Sequence, residues 1–327
     1  MNKPFKLSPS GKDYLWGGNR LKTEFGKEFN LFPLAESWEC STHPDGPSYV
    51  ASGENKGMSL TDVIKENPMV LGSHNEGLTE LPILVKLIDA DKDLSVQVHP
   101  TDEYAHEYEH GQLGKTEMWY VLDADTDAKL VYGFNRDCNE KLLREAINND
   151  RLTDYLQQVN VKKNDVFYIR SGMVHAIGKG IMIAEIQENS NLTYRLYDYG
   201  RLDKNGNLRE LHIDKAMKVA DMTSAVEPKQ PMRVLRYGKG SARELLCHCK
   251  YFEVYRMIVN TVSENFDGVS YRADSISYRV LLCIDGNGII EAEDETISIN
   301  KGDCIFYPAD SVATKISGKL QLLDICG

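Results

Sequence analysis

One seven-residue pattern occurs in both halves of the chain, and it limits the possible folds more than any other feature. Residues 163–169 have the sequence KNDVFYI and residues 301–307 have the sequence KGDCIFY, with Asp165 aligned on Asp303. In both segments a polar turn precedes a short apolar run, as expected where a β-strand begins after a turn. The repetition predicts two related β domains within one chain.

Matches on either side of this pattern show how the two halves differ. A shorter match upstream places Arg279 where Glu117 stands, and continuing the alignment downstream places Ala313 where His175 stands. A carboxylate and an imidazole can bind a metal ion, whereas a guanidinium and a methyl group cannot. The sequence therefore predicts a metal-binding first domain and a related second domain without metal ligands.

The candidate metal ligands are centred on one short predicted strand. Because side chains alternate along a strand, Ser95, Gln97 and His99 share one face, with about 6–7 Å between alternate Cα atoms. Glu117 begins a later apolar strand, and His175 follows a glycine turn. Two imidazoles, one carboxylate and one amide oxygen suit a borderline divalent ion such as Zn²⁺.

Composition argues against several classes of protein. The 327-residue chain has 38 basic and 49 acidic residues, a net charge of −11, so no nucleic-acid partner is expected. Its seven cysteines are an odd number without the spacing of a disulfide scaffold, which predicts reduced thiols and a cytoplasmic location. The sequence has no signal-peptide pattern and no apolar run of membrane-spanning length, so no membrane partner is expected either.

Short strands separated by turns account for most of the remaining sequence, which predicts a mostly β protein. Helical spacing occurs after Thr61, the expected N-cap, and in a short insertion at about residues 137–160. Prolines and charged residues at 223–240 predict a linker. We therefore expect an N-terminal domain at residues 1–225, which contains the insertion, and a C-terminal domain at residues 240–327.

Several blocks, in this order, make the chain resemble the type I mannose-6-phosphate isomerases of the cupin superfamily, in their compact bacterial form. The blocks are YLWGG at residues 14–18, AESW at 35–38, PILVK at 82–86, LSVQVHP at 94–100, KTEM at 115–118 and HAIG at 175–178. The resemblance implies two cupin-type jelly-roll β-barrels, the first catalytic and the second degenerate. It also implies interconversion of D-mannose 6-phosphate and D-fructose 6-phosphate by proton transfer through a cis-enediol.

The resemblance further implies roles for individual residues. It implies one Zn²⁺ per chain bound by Gln97, His99, Glu117 and His175, catalytic roles for Lys115, Glu185 and Arg195, and a substrate pocket that includes Trp16, Ser95 and Arg201. A hexose phosphate would be the small-molecule partner. The general base stays open among Glu185, Lys115 and a metal-bound water. The chain departs from the longer members of the family at residues 189–191, where Asn-Ser-Asn replaces Ser-Asp-Asn.

Other classes of cupin fit part of the same pattern. Two histidines and one glutamate also match the ligand set of an Fe(II) dioxygenase. Another sugar-phosphate epimerase is a further alternative, and so is a non-catalytic sugar-phosphate sensor. The extra amide ligand at Gln97 and the nearby lysine and arginine favour the isomerase over oxygen chemistry.

Overall fold

The computed structural model describes residues 2–203, 205–226, 228, 230, 232–262, 266–293 and 295–327. In these residues the protein is mostly β, and every pairing between the strands named below is antiparallel. No helix in this part of the chain combines the length and the apolar character needed to cross a membrane.

Strands and short helices follow one another in a regular order along the chain. The strands are β1 Phe5–Ser8, β2 Ser10–Lys12, β3 Glu36–Cys40, β4 Tyr49–Val50, β5 Ile83–Ala90, β6 Val96–Val98, β7 Glu117–Ala124, β8 Lys129–Phe134, β9 Leu156–Asn160, β10 Val166–Ile169, β11 His175–Ala176, β12 Ile181–Glu188, β13 Tyr194–Tyr197, β14 Arg236–Gly238, β15 Ser241–His248, β16 Glu253–Asn260, β17 Val269–Tyr271, β18 Arg279–Ala292, β19 Glu295–Asn300, β20 Cys304–Tyr307 and β21 Thr314–Cys326. The α-helices are α1 Arg20–Phe25, α2 Leu60–Glu66, α3 Asp102–Tyr108, α4 Glu140–Asn148 and α5 Ile213–Val219, and 3₁₀ turns lie at Pro68–Leu71, Ser73–Asn75 and Leu152–Tyr155.

Two sheets of the N-terminal half pack against a shared core. One has the strand order β10-β7-β12-β5-β3-β2 and the other β13-β6-β11-β8-β9. Ile88, Trp119 and Ile183 of the first sheet lie in one apolar cluster with Leu130 and Val159 of the second. Alternation along each strand sends apolar side chains into this core, and it leaves the polar residues of β6, β7, β11 and β12 to form a separate buried centre.

The third sheet has ten strands and joins the two halves of the chain. Its main path is β14-β15-β16-β21-β18-β20-β1-β4, with β17 on β21 and β19 on β18. Phe5 of β1 pairs with Phe306 of β20, so the first strand of the chain extends the C-terminal sheet. The division at residues 1–225 and 240–327 stays a proposal, and the predicted linker includes positions 227, 229 and 231, which lie outside the described residues.

Strand register reproduces the internal repeat found in the sequence. Ile169 ends the first seven-residue pattern and pairs with Glu117, whereas Tyr307 ends the second and pairs with Arg279. Arg279 therefore occupies the position that the alignment predicted. Its guanidinium lies 3.6 Å from the buried carboxylate of Asp324, so the C-terminal half has a cation where the N-terminal half has the carboxylate of Glu117.

The predicted cap of α2 was wrong by two residues. Ser59 is the N-cap, and its hydroxyl accepts a hydrogen bond of 3.0 Å from the backbone N–H of Asp62. Thr61 lies inside the first turn, where its hydroxyl donates to the carbonyl of Thr42 instead. Both residues are good N-caps in sequence, so the choice depends on where the backbone becomes helical.

The predicted helical insertion is shorter than expected. Helical structure covers α4 and the 3₁₀ turn at Leu152–Tyr155, and the segment Leu156–Asn160 is strand β9 rather than helix. Burial in β9 alternates from residue to residue, which is the period of a strand paired with β8. Leucines happen to continue at helical spacing from α4 into β9, and for this reason the sequence pattern did not show where the helix ends.

Candidate metal centre

Neighbouring strands bring the four predicted metal ligands to one point. Gln97 is the middle residue of β6, and it pairs with His175 of β11 on one side and Arg195 of β13 on the other. His99 follows β6 by one residue, and Glu117 is the first residue of β7. The i, i+2 spacing on β6 therefore turns Gln97 and His99 toward the same side, as predicted from the sequence.

Three of these side chains are close enough to share one ion. The ligand atoms of His99, Glu117 and His175 all lie within 4.8 Å of one another, the one such cluster found among the described residues. Oε1 of Glu117 is 3.3 Å from Nε2 of His175, and Oε2 is 3.9 Å from Nε2 of His99. The amide of Gln97 lies 3.4 Å from Nε2 of His175, and a half-turn of that amide directs its oxygen to the same space.

Hydrogen bonds to backbone carbonyls orient both imidazoles. Nδ1 of His99 lies 2.8 Å from the carbonyl oxygen of Leu192, and Nδ1 of His175 lies 2.8 Å from that of Met173. A carbonyl can only accept, so each Nδ1 carries the proton and donates it. The lone pair of each ring is left on Nε2, facing the centre, as metal-ligating histidines are usually arranged.

Burial tunes the protonation of all three groups. Burial, together with the charge of Lys115, holds the pKa of His99 well below its usual value and lowers the pKa of His175 to about 4. Burial and the neighbouring Glu185 carboxylate raise the pKa of Glu117 to about 7. Both imidazoles are therefore neutral at physiological pH, which is the form that binds a metal, while Glu117 exchanges its proton near neutrality.

The carboxylate of Glu117 supplies a test of whether the centre fits a metal ion. Both of its oxygens are buried, and neither accepts a well-formed hydrogen bond from the described residues. Nζ of Lys115 forms an ion pair with Oε2 at 2.7 Å but leaves Oε1 without a partner. A buried carboxylate oxygen without a hydrogen-bond partner is unfavourable. A divalent ion between Glu117 and the two Nε2 atoms would supply the missing partner, so the residues fit a metal ion.

Two lysines and two glutamates form a charged network beside the ligands. Nζ of Lys115 lies 3.8 Å from Oε1 of Glu185, and Nζ of Lys86 lies 3.5 Å from the same oxygen. Lys86 also lies 3.7 Å from Oε2 of Glu36, and the indole N–H of Trp119 donates to Oε2 of Glu185 at 2.9 Å. Each buried charge thus faces an opposite one, which is the usual condition for ionised groups in a protein interior.

The network also sets which groups are ionised. Although burial opposes it, the cations of Lys115 and Lys86 hold the pKa of Glu185 below its usual value. Burial likewise opposes ionisation of Lys115, but Glu117 and Glu185 raise its pKa overall. At neutral pH the centre therefore presents a carboxylate at Glu185 and an ammonium at Lys115, one group able to accept a proton and one able to stabilise negative charge.

A cavity of about 260 Å³ opens beside the predicted ligands. It is lined by Tyr14, Trp16, Glu36, Lys86, Ile88, Leu94, Ser95, Gln97, Lys115, Ile177, Glu185, Asn191, Thr193, Arg195 and Arg209. A larger cavity of about 480 Å³ shares no lining residue with it and contains none of the predicted ligands. The smaller cavity is the one where a ligand would meet metal-binding, acidic and basic groups together.

Two arginines give one part of the cavity wall a positive character. Nε of Arg195 donates to the hydroxyl of Ser95 at 3.3 Å, and its Nη1 donates to the carbonyl of Glu210 at 2.8 Å. Arg209 makes two hydrogen bonds of 2.6 Å to the carboxylate of Asp198, which fix its guanidinium at the cavity wall. Planar guanidinium groups held in this way are well suited to bind an anionic group of a ligand.

Comparison with known proteins places the chain in a family. Residues 4–132 match the model of the type I phosphomannose isomerase catalytic domain, and residues 243–326 match the mannose-6-phosphate isomerase cupin domain. The mannose-6-phosphate isomerase ManA of Bacillus subtilis is 36% identical over 321 residues, 98% of each chain. The chain belongs to the type I mannose-6-phosphate isomerase family. It is therefore an enzyme of the isomerase class rather than a dioxygenase or a non-catalytic sensor, and the cupin prediction is confirmed.

Other members of the type I mannose-6-phosphate isomerase family are similar to this protein over almost the whole length of the chain. The mannose-6-phosphate isomerase of Streptococcus mutans is 34% identical over 323 residues, which are 99% of this chain and 98% of that one. The crystal structure of the mannose 6-phosphate isomerase from Bacillus subtilis superposes with a TM-score of 0.90 at 35% identity, covering 99% of both chains. The likeness therefore includes the C-terminal half as well as the metal centre.

Most residues that the type I isomerase resemblance implied do come together. The ligand cluster, the charged network and the cavity wall together contain the four predicted ligands, the three predicted catalytic residues, Trp16 and Ser95. Arg201 differs, because its guanidinium contacts Asp198 and the carbonyl of Asp93 and stacks on Tyr199, and it is not part of the cavity wall.

Sequence reasoning missed several residues at the isomerase site. Lys86 and Glu36 lie in the buried strands β5 and β3 and come together because Lys86 pairs with Trp38, two residues after Glu36. Arg209 and Arg201 both pair with Asp198, but it is Arg209 that lies in the cavity wall, where Arg201 was expected. A charged residue inside an apolar strand is a sequence signal of such a site, and Lys86 carries it, whereas Glu36 begins a strand that is rich in polar residues.

Proposed function

We propose that the protein interconverts D-mannose 6-phosphate and D-fructose 6-phosphate by moving a proton between C1 and C2 through a cis-enediol. The observation that carries this proposal is the convergence of neutral histidines and Glu117 on one point, beside an ionised Glu185 and a protonated Lys115. An aldose–ketose isomerase needs this combination, because it must polarise a carbonyl, transfer a proton and stabilise an oxyanion.

Zn²⁺ is the proposed resident metal, one per chain, with Gln97, His99, Glu117 and His175 as its ligands. Two imidazole nitrogens with carboxylate and amide oxygens form a donor set that suits zinc. When bound, the ion supplies Lewis acidity toward the sugar oxygens at C1 and C2. A cytoplasmic location is also proposed, and it is supported by seven cysteines that are all free thiols.

Glu185 is the proposed proton carrier. Its carboxylate lines the cavity, and the lysine cations keep it ionised, so it is available to take a proton from the sugar carbon and return it to the neighbouring one. The two lysines, Lys115 and Lys86, line the same cavity beside Glu185, so their proposed role is to stabilise the negative charge that develops on the sugar oxygens. We assign proton transfer to Glu185 because it is ionised, and stabilisation of negative charge to the lysines because they are cations.

Arg195 and Arg209 are the proposed binding groups for the anionic part of the substrate. Both guanidinium groups line the cavity, and each keeps hydrogen-bond donors beyond those used by Ser95, Glu210 and Asp198. A phosphate group can accept two parallel hydrogen bonds from one guanidinium group, and its negative charge strengthens both of them. A hexose phosphate spanning the cavity would then have its reacting carbons beside the metal centre and its phosphate beside the two guanidinium groups.

Replacing Arg195 with alanine should lower kcat/KM for mannose 6-phosphate by about 100-fold or more, the scale seen when one charge-stabilising donor is removed. Zinc content should stay at one per chain, because Arg195 pairs with Gln97 only through the backbone, while its side chain bonds to Ser95 and the carbonyl of Glu210. Steady-state kinetics with metal analysis on the same preparation provide the measurement. Unchanged kinetics would remove Arg195 from the site.

Replacing Arg209 with glutamine should raise KM for mannose 6-phosphate by about tenfold or more while leaving kcat nearly unchanged, since one charge-assisted hydrogen bond contributes roughly 1.5–3 kcal/mol. Arg201→Gln is the matched control, because Arg201 shares the partner Asp198 but lies outside the cavity wall. Equal effects of the two substitutions on KM would contradict the assignment of Arg209.

Zinc binding to the apoprotein should release about one proton per site at about pH 6, and fewer at higher pH. The reason is that the pKa of Glu117 is raised to about 7, so acid keeps it protonated and the metal must displace that proton. Affinity for zinc should therefore rise with pH and level off above neutrality. Calorimetric titration in two buffers of different ionisation enthalpy measures the proton count, and a buffer-independent heat in acid would refute the assignment.

The proposed activity is tested by a coupled assay of the purified protein. Fructose 6-phosphate formed from mannose 6-phosphate is followed with glucose-6-phosphate isomerase and a dehydrogenase. Glucose 6-phosphate and unphosphorylated mannose serve as comparison substrates, and their conversion is followed by NMR without the coupling enzymes. We expect turnover of mannose 6-phosphate that chelation abolishes and zinc restores. Turnover of another hexose phosphate, without turnover of mannose 6-phosphate, would contradict the proposed substrate.

A further inference from the structure

Lys115 owes its position to a loop rather than to a strand. It lies in residues 113–116, the last part of the segment between α3 and β7, yet its side chain is buried and reaches His99 at 3.2 Å and Glu117 at 2.7 Å. A residue on a loop stays in place only if the backbone on both sides of it is anchored. The anchors of this segment therefore decide where the ammonium group lies.

Two carboxyl groups hold the peptide N–H groups on either side of Lys115. The N–H of Gly114 donates to Oδ1 of Asp102 at 3.0 Å, and the N–H of Thr116 donates to Oε2 of Glu188 at 2.6 Å. The N–H of Lys115 itself donates to the carbonyl of Pro100 at 3.2 Å. The backbone of the segment is therefore fixed at three consecutive residues.

Close packing shows that this segment is built to lie against the start of α3. A Cβ atom on Gly114 would come within 2.5 Å of the backbone nitrogen of Asp102 and 2.6 Å of the carbonyl carbon of Thr101. Real Cβ atoms do not approach backbone so closely, so only glycine fits without moving the segment. The contact and the two carboxyl anchors are independent signs that the loop is held in one conformation.

The two carboxyl anchors also connect the loop to the C-terminal half of the chain. The side chains of Glu188 and Tyr251 help to lower the pKa of Asp102 against the opposing effect of burial, and Nζ of Lys250 lies 3.6 Å from its Oδ2. Lys250 and Tyr251 belong to the connection between β15 and β16. Glu188 is 2% exposed, whereas the Lys250 side chain is 72% exposed, so Glu188 provides the stronger anchor.

We propose that Glu188 is a positioning residue that, with Asp102, holds Lys115 at the metal centre, and that Tyr251 of the C-terminal half completes the support. The inference rests on the proposed role of Lys115 in the reaction. It gives the C-terminal half, which has Arg279 at the position that matches Glu117, a part in catalysis. A displacement of about 1 Å in a group at the reacting centre can cost about 100-fold in rate, so an anchor of this kind has a measurable effect.

The protonation state of Glu188 suits this role. Burial and the neighbouring Asp102 raise the pKa of Glu188 to about 8, so its carboxyl group is protonated at neutral pH. It can then donate to Asp102 while its other oxygen accepts from Thr116. Glutamine offers the same donor and acceptor with nearly the same shape, whereas alanine offers neither.

The test compares Glu188→Ala with Glu188→Gln in the zinc-loaded enzyme. In the alanine variant we expect kcat to fall by about 100-fold, with little change in KM or zinc content, because only the position of Lys115 is lost. The glutamine variant should keep most of the wild-type kcat. Hydrogen exchange of the peptide that covers residues 113–116 should become faster in the alanine variant and stay slow in the glutamine variant.

A second set of variants separates positioning from general loss of stability. Glu244→Ala removes an equally buried carboxylate, which pairs with Arg256 in the C-terminal half, and should lower the melting temperature without changing kcat of the folded enzyme. Tyr251→Phe should lower kcat by a smaller factor than Glu188→Ala. If Glu188→Ala fails to fold, Gly114→Ala takes its place, and it should lower kcat and speed up exchange in the same peptide.

The proposal is overturned if the alanine variant keeps wild-type exchange at residues 113–116, or if alanine and glutamine lower kcat equally. Failure of the proposed function is a separate result. If Lys115→Met keeps full turnover, the role of Lys115 is wrong, while the exchange measurement still decides whether Glu188 anchors the loop.

Discussion

Purified His99→Ala protein is expected to contain no bound zinc and to lose isomerase activity. His99 is 1% exposed and its ring is oriented by a hydrogen bond to the carbonyl of Leu192, so the substitution removes one of the two imidazole nitrogens of the cluster. Changes in groups that only orient a ligand already cost up to about 100-fold in metal affinity or activity, so loss of the ligand itself should cost more. Metal analysis by mass spectrometry and the coupled assay measure both effects.

Two further variants make this result specific. Glu117→Gln keeps the volume of the buried side chain and should also lose the metal, because the negative oxygen donor is gone. His106→Ala removes an exposed histidine of α3 and should keep both zinc and turnover. Full turnover in folded His99→Ala protein would rule out His99 as a ligand.

Glu185→Gln is expected to keep the metal and lose turnover. The amide is isosteric and still accepts the hydrogen bond from the indole N–H of Trp119, but it cannot accept a proton from the sugar carbon. General acid–base groups typically contribute about 10²–10⁴-fold to the rate, so kcat should fall within that range. Exchange of the C2 hydrogen of mannose 6-phosphate with deuterated water, followed by NMR, should slow by the same factor.

The control for this variant is Glu210→Gln. The side chain of Glu210 is 82% exposed, and only its backbone carbonyl contacts Arg195, so the substitution changes the net charge equally without touching the cavity. We expect its kcat to equal that of the wild type. If Glu185→Gln keeps wild-type kcat as well, the proton carrier is a different group, and Lys115→Met becomes the next variant to measure.

The clustering of the predicted metal ligands could be foreseen from the sequence because their signal is local. Gln97 and His99 are two residues apart on a strand, so alternation alone puts them on one face. Glu117 and His175 each stand at the start of a strand after a turn, and the internal repeat aligned Glu117 with Arg279 before any register was known. Short-range geometry and repetition were sufficient for these positions.

The charged network could not be predicted in the same way, because it depends on pairing between distant strands. Lys86 meets Glu185 only because β5 pairs with β12 in the register that places these two residues opposite each other. The choice between Arg201 and Arg209 depends on the path of a loop around Asp198. Neither register nor loop path is determined by residues that are close in sequence.

Long-range pairing also explains what was missed in the fold. β1 and β4 join the C-terminal sheet through pairs such as Phe5 with Phe306, about three hundred residues apart, and no local pattern indicates this. The alternation of β9 was present in the sequence, but the helical spacing of α4 immediately before it obscured the change of period. Element type was therefore more predictable than element partners.

The most direct test is a crystal structure of the zinc-loaded protein with an anomalous difference map calculated at the zinc absorption edge. The account predicts one peak per chain, about 2.0–2.2 Å from Nε2 of His99, Nε2 of His175 and an oxygen of Glu117, with the amide oxygen of Gln97 turned toward it. A peak bound by other residues, or four side chains in these positions with no zinc between them, would contradict it.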